Sequence, residues 1–374
     1  MPKSVIEKLE DNTFEHAIDV NRFEESVRRK VIGHIREMAD EINAILSDMS
    51  IAPSVTDDRL DALLKQVGSI ITDSTSNARN ELRQQLIDFA PLEEKATVGQ
   101  LNDSIQTTVF TEQLTPAQLR AIVDDSKIRG ALTSEWWDRM DQNTQNRIIK
   151  GIQLGFSEGE SIEEMKDRLL GKRTGNFETF VVGDQTKRRM ERKGGWIKMT
   201  DREAEGLVRT AVHKVSTDVR EDTFKANSDV IDAIESVAVL DSRTSTLCAS
   251  YDGLRWTLKG RPLGGHGKRM ITPPRHWNCR SSHVPVISGL DELDRLALQK
   301  GVKIPSAVRA SIDGGQPATT SMDKWLKKQS KTRQDLIVGG KAKGDLFRGG
   351  KLKLPDFTNK RGDPLTLKEL ELKL

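Results

Sequence analysis

The stretch Ile271-Thr-Pro-Pro-Arg-His-Trp-Asn-Cys-Arg-Ser-Ser282 interrupts a chain that otherwise reads largely as a succession of helices. Pro273 and Pro274 remove two backbone donors and hold the residues before each ring out of the α region, so no helix runs through this point. Straight after them comes His276-Trp-Asn-Cys279, with one of only two cysteines in 374 residues. Residues 252–286 also hold five glycines and four of the twelve prolines, the composition of turns and short strands. The spacing therefore predicts an α+β fold, mainly α-helical, with a small loop-rich β insert and an extended C-terminal tail.

Upstream, the helical reading rests on apolar positions at three- and four-residue steps. Phe23, Val27, Val31, Ile35, Met38, Ile42, Ile45 and Leu46 make one long amphipathic face. Leu60, Leu63, Leu64, Val67, Ile70 and Ile71 repeat it after Pro53, and Leu82, Leu86 and Phe89 extend it to Pro91, where the helix is expected to stop. Thr115-Pro-Ala-Gln118, Ser161-Ile-Glu-Glu164 and Thr200-Asp-Arg-Glu203 read as capping boxes opening further helices, with another between Trp136 and Gly159. A short run, Val237-Ala-Val-Leu240, reads as a strand. Residues 313–321 read as a linker, and beyond them one helix around Trp325–Leu336 is expected before Gly339-Gly340 and Gly349-Gly350 break the chain. The expected domains are a helical arm over 1–114, a central domain over 115–290, and a linker with a basic tail over 291–374.

Composition narrows the function classes. With 59 Lys+Arg against 56 Asp+Glu the whole chain carries no strong nucleic-acid footprint. Charge is concentrated locally in Lys187, Arg188, Arg189, Arg192 and Lys193, candidate contacts to double-stranded DNA, although such runs are also common on solvated loops. There is no apolar run of membrane-spanning length and no secretory pattern at the N-terminus, so a soluble chain made in a cytosol with no membrane partner is expected. In that setting two cysteines are thiols or metal ligands rather than a disulfide.

The most specific signal is the order Asp241, Arg243, Thr244, Cys248, Asp252, Gly253, then Pro273, Pro274, His276, Cys279 and Arg280. This set resembles the phage Mu F-like minor head protein family, also called the phage head morphogenesis family, over about residues 115–285. Relatives in that family carry further cysteines where Ser245 and Ser281 stand here. The resemblance implies a non-enzymatic minor capsid protein of a tailed bacteriophage. It would act in head morphogenesis at the portal vertex and procapsid interior, with the portal protein and the major capsid or scaffolding protein as partners. Its expected location is the virion, at the head interior or portal vertex, and the host cytoplasm during assembly.

Two readings of the cysteines stay open. Cys248, Cys279 and His276, with His266 or His283 as a fourth donor, make up the ligand count of a structural zinc site. Alternatively the thiols are buried, His276 caps a carbonyl, and Arg280 pairs with Asp241 or Asp252 in a cross-brace between two loops. The rival function class is enzymatic. Arg209-Thr210, Thr319-Thr-Ser321 and Glu369-Leu-Glu371 occur in the order used by ADP-ribosyltransferases, and Cys279 or Cys248 with His276 is a nucleophile and base pair. The first lacks room for a flanking sheet, and the second lacks an identifiable orienting group or oxyanion donor.

Overall fold

The structure, a computed structural model, describes residues 5–49, 56–105, 110–111, 113–287, 308–309, 311–314, 316–317 and 320–374. The fold is mainly helical with small antiparallel sheets, as the sequence spacing predicts. Helix α1 spans Val5–Met49, α2 Asp57–Ile105, α3 Pro116–Asp125, α4 Thr133–Glu158, α5 Ile162–Leu170 and α6 Ile197–Ala226. The chain divides into two units. One comprises Met1–Val20, Ala90–Ile122 and His213–Leu374; the other comprises Asn21–Phe89 and Val123–Val212. These boundaries differ from the expected 1–114, 115–290 and 291–374, because α1, α2, α3 and α6 each contribute residues to both units.

The second unit is built from apolar stripes. Val27, Val31, Ile35, Met38, Ile42 and Leu46 of α1 are buried, as are Leu63, Val67, Ile71, Leu82 and Leu86 of α2. Phe23 stacks on Phe89 with ring centroids 4.4 Å apart. In the same unit two short strands, β1 (Lys127–Ile128) and β2 (Ala131–Leu132), pair antiparallel, and a long hairpin is made by β3 (Lys172–Val182) and β4 (Gln185–Lys193). Its backbone approaches α1 so closely that a Cβ on Gly33 would lie 1.7 Å from the Val181 carbonyl oxygen. Glycine is required there for want of space rather than for an unusual dihedral.

The cap signals at Thr115 and Ser161 are realised. The Gln118 N–H donates to Thr115 Oγ1 (3.3 Å) and the Thr115 N–H to Gln118 Oε1 (2.8 Å). Ser161 and Glu164 do the same at 3.2 and 2.9 Å. Three expectations need correction. Thr200 does not open a helix: α6 begins at Ile197, and the buried Thr200 hydroxyl instead meets Thr144 Oγ1 at 2.9 Å. Nor does α2 stop at Pro91. Interior proline costs a helix about 3 kcal/mol, yet here it is flanked by residues fixed in place, with Phe89 stacked and buried on one side and Glu93 buried on the other. The strand expected at Val237–Leu240 lies earlier, as β5 over Ile231–Val237.

Strand β5 is central to the four-stranded sheet of the first unit. It pairs antiparallel with β6 (Arg255–Thr257) and β8 (Ser282–Ile287), and β6 pairs with β7 (Pro262–Leu263), giving the order β7-β6-β5-β8. A short helix, α7 (Thr246–Tyr251), follows β5. Tyr251, Trp256, Phe224, Ile231, Ile234 and Ile287 form the core under the sheet.

The extended tail is not found among the described residues. Residues 322–327, 331–338, 341–348 and 367–371 are helical, and Trp325, Leu326, Ile337, Val338, Phe347, Leu354, Phe357 and Leu370 are buried in one cluster with Leu240 and Ala249. The glycine pairs separate short helices instead of abolishing them: Gly339, at φ +90°, is the left-handed cap of 331–338. Basic side chains that suggested a solvated tail are paired locally, as in Arg348 with Asp335 and Asp345, and Arg333 with Asp313. Residues 291–307 and Thr319 of the expected linker lie outside the described residues.

The close approach at Gly33 makes a direct prediction. Gly33→Ala forces a rigid backbone to move and should cost about 3 kcal/mol, the upper end for overpacking. Gly99→Ala, in a helical site where an added Cβ meets nothing within 4 Å, should stabilise by up to about 1 kcal/mol. Urea denaturation of the two variants beside wild type measures both.

Candidate functional site

Two loops carry the ordered motif. The first leads from β5 into α7, whose N-cap is Ser245, with its Oγ accepting the Cys248 N–H at 3.2 Å. The second precedes β8 and contains a Pro273–Pro274 cis peptide followed by a tight turn from His276 to Cys279. The Cys279 N–H donates to the His276 carbonyl at 3.1 Å, and Asn278 sits at φ +58°. Asparagine is among the residues that tolerate this left-handed conformation. The His-x-x-Cys spacing thus places the two side chains together because it is the spacing of a turn.

The loops meet. Arg280 donates from both Nη1 and Nη2 to the Asp241 carboxylate, the latter bond being 2.8 Å to Oδ1. Asp241 Oδ1 also accepts the Arg243 N–H at 3.0 Å and the Thr244 hydroxyl at 3.2 Å. Burial alone would raise the Asp241 pKa, but the Arg280 hydrogen bonds and charge, with the Arg243 and Thr244 donors, outweigh it and leave it below its ordinary value. Arg243 itself is 79% exposed and stands 3.6 Å from the same carboxylate. Asp252, the other expected partner for an arginine, ties backbone instead, its two oxygens accepting the N–H groups of Ala238 (2.9 Å) and Met322 (2.7 Å). Gly253, at φ +74°, completes that turn and donates its N–H to the Ser236 carbonyl at 2.7 Å.

Beside this network lie the thiols. Cys248 Sγ is 3.6 Å from Cys279 Sγ and 3.2 Å from His276 Nε2, and one donor atom from each of the three residues falls within 4.8 Å of the others. His276 Nδ1 donates to the Trp277 carbonyl at 2.9 Å, which turns its Nε2 lone pair toward Cys248 and the Ser245 hydroxyl (2.9 Å). The thiols are unequal. Cys279 is drawn down to about 5 by the hydrogen bond from Cys248 and by the Arg275 and Ser281 backbone donors, against the opposing effect of burial. Cys248 is pushed up to about 11 by the same sulfur–sulfur hydrogen bond and by burial.

Neither proposed fourth histidine joins this trio. His266 donates from Nε2 to the Arg255 carbonyl (3.0 Å) and accepts the Lys268 N–H at Nδ1 (3.1 Å), so both ring nitrogens are engaged. His283 donates from Nδ1 to Glu221 (2.7 Å) and accepts from Arg275 at Nε2 (3.1 Å). Burial holds His283 below its ordinary pKa, consistent with that neutral tautomer.

A family model described as Phage Mu protein F like protein matches residues 142–284. Over that stretch, fewer than half of the 374 residues, the chain is similar to phage Mu F-like proteins. No curated protein and no solved structure matches the chain. The Mu F-like region runs from within α4 into β8 and includes Asp241, Arg243, Thr244, Cys248, Asp252, Gly253, Pro274, His276, Cys279 and Arg280.

Several participants carry little signal in the sequence. Arg275, 8% exposed, donates to Ser236 Oγ (2.8 Å), His283 and the Ile271 carbonyl (2.9 Å), and its guanidinium lies over the Tyr251 ring. His213 on α6 reaches the Ser281 carbonyl at 2.9 Å. An arginine between a double proline and the His-x-x-Cys turn is the available signal for the first. His213 offers none, lying more than 60 residues from its partner.

The other candidates are dispersed. Lys187 pairs with Glu37; Arg189 with Glu178 and Asp40; Arg192 donates to Asn43 Oδ1 (2.9 Å) and the Gly171 carbonyl (2.8 Å). Arg188 lies over Phe177 and is exposed, as is Lys193. On the transferase order, Arg209 pairs with Glu24, Thr210 back-bonds to the Gly206 carbonyl, and Glu369 completes a capping box with Thr366.

Asp241→Asn should destabilise the protein by about 2–3 kcal/mol, less than the roughly 3–5 of a fully buried broken pair because Arg280 keeps solvent access. A carboxyl held below its ordinary pKa contributes stability above about pH 4 and loses it as pH falls further through the folded value. The difference between wild type and variant in urea melts should therefore shrink below that pH.

Proposed function

We propose that this chain is a minor head protein of a tailed bacteriophage. In this reading it acts in head morphogenesis at the portal vertex on the procapsid interior, and contacts the portal protein together with the major capsid or scaffolding protein. The observation that carries the reading is the Mu F-like match over 142–284, whose motif residues bind one another and the backbone across two loops. Such a network suits a rigid structural module. The side chains in the transferase order serve as caps and ion pairs, which supports a structural role over that chemistry. No described helix is long and apolar enough to cross a membrane.

Contact with double-stranded DNA would fall to few side chains. Each phosphate contact needs a cation free to release counterions, and of the five basic residues of β4 three are already held by acids, an amide or a carbonyl. Arg188 and Lys193 remain exposed for it.

Co-expression with the portal protein of the same phage, followed by affinity capture and cryo-electron microscopy of the heads formed, tests the reading. Wild type should co-purify with portal oligomers and appear as density at that vertex. Arg280→Ala should reduce incorporation severalfold while leaving the soluble protein helical by circular dichroism. Heads that assemble with full infectivity when this protein is omitted would refute it.

A further inference from the structure

We propose that Cys248, His276 and Cys279 bind one zinc ion, which joins the α7 loop to the loop before β8. The proposal goes beyond the assembly role and does not depend on it.

The geometry is that of a tetrahedral edge set. With Zn–S of about 2.3 Å and Zn–N of about 2.0–2.1 Å, two thiolates on one tetrahedral zinc stand about 3.8 Å apart and a thiolate and an imidazole nitrogen about 3.5 Å apart. Here the sulfurs are 3.6 Å apart, Cys248 Sγ is 3.2 Å from His276 Nε2, and all three donors lie within 4.8 Å of one another. A disulfide needs about 2.05 Å, and both cysteines are free thiols in this structure. Two of the three donor separations are thus close to tetrahedral edges, and the third, within 4.8 Å, closes to about 3.5 Å on coordination.

The surroundings prepare the donors. A ligating imidazole is normally oriented by a hydrogen bond from its other ring nitrogen to a carbonyl or carboxylate. The Nδ1–H of His276 makes that bond to Trp277, leaving Nε2 as the donor. Asn278 sets the turn that brings His276 and Cys279 onto one side. Around the sulfurs the apolar contribution is minimal: Ala238, Cys248 and Cys279 form a cluster by themselves. A region with so small a core gains most from a metal, because metal binding adds directly to folding. Beside the trio is a small cavity lined also by Val239, Arg243, Thr244, Ser245, Asn278 and Arg280, and a solvent molecule there would supply the fourth ligand. His266 and His283 stay outside the set, each with both ring nitrogens engaged elsewhere.

The test uses the full chain purified under reducing conditions without a metal-affinity tag. Elemental analysis of protein grown with added zinc should give close to one equivalent per chain. Replacement with cobalt(II) should produce the thiolate-to-cobalt charge-transfer absorption and the intense visible bands of a tetrahedral centre. Cys248→Ser and Cys279→Ser should each lose the charge-transfer intensity, and His266→Gln should keep it. Circular dichroism reports whether either serine variant fails to fold, and in that event the wild-type cobalt spectrum decides. Chelation should lower the melting temperature of wild type and leave Cys279→Ser unchanged. Folded wild-type protein with no metal and no cobalt spectrum, or with the two cysteines joined as a disulfide, overturns the proposal; so does loss of the spectrum in His266→Gln.

Discussion

Asp241 holds the two motif loops together. Its carboxylate, 6% exposed at the side chain, takes two guanidinium donors from Arg280, the backbone N–H of Arg243 and the hydroxyl of Thr244. A buried carboxylate is costly unless its lone pairs are filled, and four donors from two loops fill them. The loops cannot separate without exposing that charge to an environment that no longer neutralises it. Everything nearby inherits this fixed spacing, including the 3.6 Å between the sulfurs.

Helix α7 shows how a short element is made rigid by what surrounds it. Six residues are too few to be stable alone, since nucleation is unfavourable and few bonds follow it. Each side of the helix belongs to a different cluster: Ala249 to the C-terminal core, Tyr251 to the core under the sheet, and Cys248 to the small sulfur cluster. The C-terminal segment adds polar ties. Ser250 Oγ meets Thr358 Oγ1 at 2.8 Å, and Thr246 Oγ1 donates to the Ile337 carbonyl. Lys268, buried beside Tyr251, donates to the Thr358 carbonyl at 3.0 Å, and burial draws its pKa down to about 8. The C-terminal residues are therefore part of what positions the motif.

How much of this was legible follows from the range over which each signal acts. The helices of the second unit could be read because their stripes are local and periodic: Val27, Val31, Ile35, Met38 and Ile42 are all buried. The Thr115 and Ser161 boxes could be read for the same reason. The pairing of Arg280 with Asp241 and the meeting of Cys248 with Cys279 could be anticipated from an ordered motif of specific residue types. What failed was nonlocal. Thr200 has the residues of a cap, but its hydroxyl is claimed by Thr144, 56 positions away. The glycine pairs near 340 and 350 look like breaks, yet Trp325, Ile337 and Phe347 bury themselves between them. Nothing local in the basic run at 187–193 shows that Lys187, Arg189 and Arg192 meet Glu37, Asp40 and Asn43 of α1, about 150 positions away.

The same contrast explains why the motif mixes residue types that seldom serve one purpose. A loop pair with a large apolar core would need neither a buried carboxylate nor paired thiols, because area removed from water would hold it. Ala238, Cys248 and Cys279 supply too little of that area. Directional interactions take its place: the bidentate arginine fixes the distance between the loops, the Asp252 carboxylate ties the Ala238 and Met322 backbones, and the His276–Cys279 turn fixes where the sulfurs point. Directional bonds tolerate substitution poorly, since removing one partner leaves the other buried without compensation. Where the two loops meet, their relative position therefore resides in the few side chains that cross between them.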